Sequence, residues 1–231
     1  MEETLTTTSE FNDWRDRTTW YTHETFLPHF IKLIGRPLFR LVMNLERIDW
    51  DNIPAGPCIL APNHINNFDV LAIGLYVPRH PFYMTKKELF KNPVMSWIIR
   101  LCGAFPVDRG GRDAWPLRQA GRVLEAGQML CMFPEGKRSG RKAQLRRGKP
   151  GTVKLALEHK VPIVPAAILG TQHIKIGRTR PKATFQIGEP LDVATLAGPP
   201  PYTNETIREL TTLLMERIAK MLPPEHRGVY G

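Results

Sequence analysis

Cysteine is scarce in this chain: three in 231 residues, at 58, 102 and 131. So few, so scattered, exclude a disulfide-stapled scaffold or a zinc cluster, and a reducing compartment is expected, with no metal. Acidic residues are also outnumbered: 22 Asp and Glu face 32 Lys and Arg, a formal net charge of +10. Uncharged apolar runs of the roughly 18 residues that begin to span a bilayer are missing, so no transmembrane helix is expected. The opening MEETLTTTSEF has neither the basic segment nor the apolar core of a secretory signal peptide. Internal repeats, low-complexity tracts and linkers are lacking too, which favours a single domain. What is present excludes a disordered basic tail: 42% of residues are hydrophobic, with 10 Phe, 5 Tyr and 5 Trp. The remaining class is a soluble or membrane-surface protein whose positive field favours an anionic partner: nucleic acid, phosphorylated metabolite or acidic lipid.

From about 25 to 46, Leu27, Ile31, Ile34, Leu38, Leu41 and Leu45 recur at alternating four- and three-residue spacings, the mark of an amphipathic helix. Lys32, Arg36 and Arg40 fall on roughly the opposite face, and Gly35 with Pro37 predicts a kink or a break into two short helices. Two placements suit the stripe: apolar side down on an anionic membrane, or packed on the body with its cations in water. Beyond the turn at 52–57, strands and helices alternate. Strands are expected at 58–61, 81–84, 104–107, 129–133 and 163–170, with shorter ones near 173–177 and 183–188. Helices are expected at about 68–77, 88–103, 113–126 and 149–160, and a last one from Thr203 or Asn204 to Pro223. This pattern specifies an α/β layered domain with a mostly parallel or mixed central sheet flanked by helices. The division expected is 1–50 as an amphipathic helical segment and 51–231 as the functional domain.

In open α/β sheets ligands bind beyond the carboxyl ends of strands, so the residues following each strand are the candidates for a site. After 58–61 comes Pro62-Asn63-His64-Ile65-Asn66-Asn67-Phe68-Asp69. His64 and Asp69 would diverge by about 140° on one helix, but meet if His64 occupies the turn and Asp69 the first turn of the next helix. The carboxylate would then hold the ring's Nδ1 proton and leave Nε2 as a general base. A capping Asp and an incidental loop histidine would give the same string. After 104–107 comes Asp108-Arg109-Gly110-Gly111-Arg112, an arginine fork in a glycine-rich bend that suits a phosphate or a surface ion pair. After 129–133 comes Pro134-Glu135-Gly136-Lys137-Arg138-Ser139, followed by cations only: the charged residues from 137 to 154 are eight Lys and Arg. That run is an anion-facing side or a solubilising loop. Val161-Pro162-Ile163-Val164-Pro165 suits a strand entrance and a bulge or edge shaping a cleft wall.

Taken in order over 63–165, these clusters resemble the glycerolipid acyltransferases. The NHxxxxD block resembles Asn63-His64 through Asp69. A KxEL stretch and an arginine-ended strand resemble Lys86, Glu88 and Leu89, then Gly103, Phe105 and Arg109. FPEGTRS resembles Phe133 to Ser139, and a proline-rich fourth block resembles Val161 to Pro165. The chain departs from the pattern at Lys137, where threonine is usual, and at Asn66, where serine or threonine is common; the lysine suits a phosphate or a different head group. The resemblance implies transfer of an acyl group from acyl-CoA or acyl carrier protein to the free hydroxyl of a lysophospholipid, foremost 1-acyl-glycerol-3-phosphate, without a cofactor. It implies His64 as general base and Asp69 as its orienter. Lys86, Arg109, Glu135, Gly136, Lys137, Arg138 and Ser139 would hold the acceptor, and Asn63, Pro134, Pro162 and Pro165 would shape the site. Backbone amides near a helix start are expected to stabilise the oxyanion. Cys131, inside an apolar strand, is expected to be a buried hydrophobe rather than a nucleophile. A peripheral enzyme on the cytoplasmic face of the membrane follows, contacting an anionic surface and no nucleic acid. The alternatives are another lysolipid acceptor, a thioester hydrolase using the same dyad on water, a structural membrane-surface protein and, least supported, a basic nucleic-acid binder.

Overall fold

The computed structural model describes residues 13–108, 113–175 and 180–231. Seven strands run in the order β1 (Asn44–Ile48), β2 (Cys58–Pro62), β3 (Pro81–Lys86), β4 (Ala104–Val107), β5 (Met129–Cys131), β6 (Ile163–Leu169) and β7 (Lys182–Ile187). Among the described residues they form one sheet of spatial order β1-β7-β6-β2-β5-β3-β4. β6, β2, β5, β3 and β4 are mutually parallel; β7 is antiparallel to β6 and parallel to β1. The expectation of an α/β domain with a mixed sheet holds.

The central strands read as unbroken apolar runs because both faces are covered. In β2, Ile59 and Ala61 enter the core beneath α4 (Trp115–Glu125), α5 (Gly151–His159) and α7 (Asn204–Lys220), while Cys58 and Leu60 enter the core on the opposite face. That second face is covered by α1 (Phe26–Val42) and α2 (Asn67–Tyr76). α3 (Pro93–Leu101) connects β3 to β4, and a short α6 (Val193–Ala197) precedes α7. Thr203 Oγ1 accepts from Thr206 N–H, a cap where the sequence suggests one; Asn92 Oδ1 accepts from Met95 N–H, with Pro93 at the first helical position, and so starts α3 later than the expected 88.

The N-terminal stripe differs from the expected helix in its course and its end, and of its two expected placements only packing on the body is contradicted. α1 is one helix running through Pro37, not two, and it ends at Val42. Leu45 belongs to β1, where the helix was expected to continue, because the chain crosses there to pair with β7. Most consequentially, the stripe does not pack on the body: Ile31, Ile34, Leu38 and Leu41 are exposed, and Lys32 is buried. Lys32 Nζ donates to the Val77 and Pro78 carbonyls, and Arg36 Nε to that of Leu75, so these cations cap the C-terminus of α2. Elsewhere, 88–103 divides into a 3₁₀ turn at Lys87–Phe90 and α3, and β5 stops at Cys131. Near 173–177, Thr171–His173 is a 3₁₀ turn, and 176–177 lie outside the described residues.

Candidate active site

The C-terminal ends of β2, β5 and β3 lie side by side, and the loops leaving them build one cluster. Asn63 is buried directly after β2; its Nδ2 donates to the Ile168 carbonyl at 3.0 Å and its Oδ1 accepts from Ile168 N–H at 2.7 Å. This amide prolongs the pairing with β6 after the β2 backbone turns away, and so fixes where His64 emerges.

His64 and Asp69 meet as the turn geometry requires: Nδ1 to Oδ2 is 2.9 Å. Asp69 is completely buried, and Oδ2 also accepts from Ile65 N–H at 2.6 Å and Asn66 N–H at 2.8 Å. Oδ1 accepts from Thr171 Oγ1 at 2.6 Å. Because Oδ2 already faces two N–H donors, the imidazole supplies the third proton from Nδ1, leaving Nε2 with its lone pair. The ring stacks on Phe133, centroids 3.8 Å apart at 18°. The backbone of His64 is gripped by the loop after β5. Its N–H donates to Glu135 Oε1 at 2.8 Å, and its carbonyl accepts from Ser139 N–H at 2.8 Å and Ser139 Oγ at 3.2 Å.

Beside His64 opens a cavity of about 290 Å³. Its walls are apolar, with Val70, Tyr83, Leu89 and Phe133 among them, and Lys86 and Arg138 are its cations. Arg138 Nη1 donates to Asn67 Oδ1 at 2.8 Å, which ties the guanidinium to the first turn of α2. A cationic region joined to an apolar one is matched to an amphiphile with an anionic head. The Tyr83 hydroxyl, buried against this cavity, finds no partner among the described residues.

The remaining sequence-derived candidates separate. Glu135 is buried, and both its oxygens are occupied by backbone: Oε1 by His64 N–H and Oε2 by Arg146 N–H at 2.9 Å. Burial pushes its carboxyl up to about 7 against the pull of those two donors and of Arg146. Ser139 likewise serves the His64 carbonyl. Gly136 adopts φ +68°, a conformation that favours glycine. Pro134 is buried, with its carbonyl accepting from Lys149 N–H at 2.8 Å. Lys137 is exposed and does not line the cavity. Neither do Pro162 and Pro165. Pro162 precedes β6 at the end remote from His64, and Pro165 lies inside β6, an interior strand rather than an edge. Pro165 is tolerated there because it stands opposite Gly188, one residue past the end of β7: its carbonyl accepts from Gly188 N–H, and the donor that it lacks falls beyond the β6–β7 ladder.

Arg109 lies outside the described residues, as do 110–112. The ends of its loop are drawn together, since Asp108 N–H donates to Asp113 Oδ2 at 3.0 Å and Asp113 pairs with Arg15 at 2.6 Å. Cys131 borders the cavity, but full burial drives its thiol far above the range in which it ionises. Among the described residues no group of three or more His, Cys, Asp or Glu could hold a metal ion. Sequence reasoning missed Thr171 and Asn67. Thr171 stands 102 positions from the aspartate it serves, and no spacing rule could have joined them.

The sequence profile described as Acyltransferase matches residues 45–169, more than half the chain, His64, Asp69, Lys86, Glu135 and Arg138 included. The chain belongs to the acyltransferase family. It is 32% identical over 173 residues to the 1-acyl-sn-glycerol-3-phosphate acyltransferase of Bacillus subtilis, covering 74% of this chain and 84% of that one. It is 30% identical over 195 residues to the protein of the same name from Haemophilus influenzae, covering 80% and 78%. Among solved structures it is similar to the 1-acyl-sn-glycerophosphate acyltransferase PlsC of Thermotoga maritima, with a TM-score of 0.65 and 27% identity over 81% of this chain and 76% of that one. The protein is therefore an enzyme, an acyltransferase. Among the described residues, no helix of this acyltransferase is long and apolar enough to cross a membrane.

Proposed function

We propose that this acyltransferase esterifies the free hydroxyl of 1-acyl-glycerol-3-phosphate, giving phosphatidic acid, with acyl-CoA or acyl carrier protein as thioester donor. The observation that carries the reading is the His64–Asp69 pair opening on a cavity that joins cations to an apolar wall. Relatives bearing that activity in their names support it. His64 Nε2 takes the hydroxyl proton as the oxygen attacks the thioester carbonyl; the C–S bond then breaks, and the departing thiolate recovers the proton from the imidazolium. Asp69 stabilises that imidazolium. The acceptor alcohol is itself the nucleophile, so no acyl-enzyme is formed. Arg138 and Lys86, together with Arg109, hold the phosphate and set the hydroxyl near Nε2. Glu135 and Ser139 act on the histidine's backbone rather than on the acceptor.

The enzyme works as a peripheral protein on the cytoplasmic face of the membrane. Residues 1–50 serve as its surface segment, returning β1 to the sheet, and 51–231 carry catalysis. The outward apolar stripe of α1 supports this, because Lys32 and Arg36 are engaged at the end of α2 and Phe26, Phe30, Leu33 and Leu38 face solvent. The deciding experiment is purified enzyme with labelled acyl-CoA and acyl carrier protein against a panel of lysolipids, with products identified by mass spectrometry. Phosphatidic acid formation that disappears in His64→Ala is expected. Free fatty acid released equally with and without acceptor would make it a hydrolase instead, and another diacyl product would reassign the head group.

A further inference from the structure

Two helices of this protein each bury a polar residue while exposing large apolar ones. In α1 the buried polar residue is Lys32. In α3 it is Ser96, while Val94, Met95 and Trp97 are 65%, 47% and 54% exposed. Leu89, in the 3₁₀ turn leading to α3, is 49% exposed and also lines the catalytic cavity. The apolar surface thus runs from the cavity rim outward along α3. It adjoins α1, since Thr25 Oγ1 at the head of α1 donates to the Leu101 carbonyl at the end of α3 at 2.8 Å. Lys86, Lys87 and Lys91 border it, all exposed; Lys87 is paired with Asp108, which leaves Lys86 and Lys91 beside the acid Glu88.

We infer that α3 and Leu89 form a second lipid-contact surface beside α1, which seats the cavity mouth on an anionic bilayer so that the acceptor enters from the leaflet along the Lys86–Leu89 rim. The inference rests on the lysophospholipid reading above. A patch of apolar side chains bordered by lysines fits an anionic membrane: the chains enter the acyl boundary and the ammonium groups meet phosphates. Trp97 is of the type that prefers that boundary. A second copy of the chain fits less well, because a two-fold contact through the patch would set its lysines against themselves.

The test compares wild type with Val94→Ser/Trp97→Ser on vesicles of phosphatidylcholine with and without phosphatidylglycerol. Exposed side chains hold the variant's fold, which circular dichroism checks. Binding to the anionic vesicles is expected to weaken by about tenfold or more, given the apolar area withdrawn from lipid. Turnover of long-chain lysophosphatidate presented in those vesicles is expected to fall with it, while turnover of a short-chain, water-soluble analogue stays within about twofold. Quenching of tryptophan fluorescence by brominated phosphatidylcholine is expected to drop in Trp97→Phe. Unchanged vesicle affinity in the folded double variant overturns the inference. So does an equal loss of turnover on the soluble analogue, or a shift from dimer to monomer by light scattering with vesicle affinity intact. If the wild type acylates no lysolipid, the lysophospholipid reading fails, and binding and quenching still decide whether α3 touches lipid.

Discussion

Asp69 is held by four donors from three directions: the His64 ring, two backbone amides of its own turn, and Thr171 from the loop after β6. Such a carboxylate is a fixed acceptor, and this is why the imidazole has one tautomer and one orientation. Asp69→Asn is expected to lower kcat by about 10²–10⁴-fold, the range of a lost general base, with the protein still folded by circular dichroism. Thr171→Val leaves Oδ1 without its side-chain donor; it should cost about 1–3 kcal/mol of stability in urea titrations and lower kcat more than it raises KM. Glu135 gives a pH signature. Its folded carboxyl titrates at about 7, raised from 4.5 by burial, so between those values the folded protein binds the extra proton. Its contribution to stability is therefore full below about pH 4.5 and declines as pH rises to 7. Urea midpoints of wild type relative to Glu135→Gln should fall across that window; a flat difference would show that the carboxyl is not protonated in the fold.

At the scale of elements, α2 links the two ends of the mechanism. Its first turn carries Asp69 and its last carbonyls receive Lys32 and Arg36 of α1. Those bonds turn the cationic face of α1 inward and force its apolar stripe outward, the reverse of the usual amphipathic surface helix. Burial lowers the Lys32 ammonium to about 8 from 10.5. Between those values the unfolded chain holds more protons, so this group's contribution to stability increases as pH rises from 8 toward 10.5. Wild type measured against Lys32→Met should show that rise. Gly35 belongs to the same arrangement, since a Cβ there would strike the Leu75 side chain at 2.5 Å. The α1 stripe and its period were legible in the sequence; its direction was not. Which face is buried depends on the carbonyls at the end of α2, more than thirty positions away.

For the whole molecule, the net charge of +10 acts as a field superimposed on the apolar contacts of α1 and α3. Association with anionic vesicles should weaken as salt is raised toward about 1 M, where the Debye length shrinks to about 3 Å, and the residue of binding that persists should be the apolar part. Polar substitution of Ile31, Ile34 and Leu38 should reduce that salt-resistant part, leaving the share due to α3, without lowering the urea midpoint, since none of the three is buried. An equal loss of stability would place the stripe in the core.

The sequence by itself determined the alternation of strands and helices, the mixed sheet and the two strand-end turns that carry His64 and Arg138, because periodicity, prolines and caps act over a few residues. It also determined the block order by which the family is recognised. Local pattern extended the N-terminal helix past Val42 and left Pro165 at an edge, since pairing with β7 and the position of Gly188 are tertiary facts. Only the tertiary structure decided that Glu135 and Ser139 grip the backbone of His64, that Thr171 completes the Asp69 cluster, and that two helices face outward with their apolar sides. The reason is physical: a polar side chain takes whichever donor or acceptor the fold leaves unsatisfied beside it, and those neighbours come from strands distant in the chain.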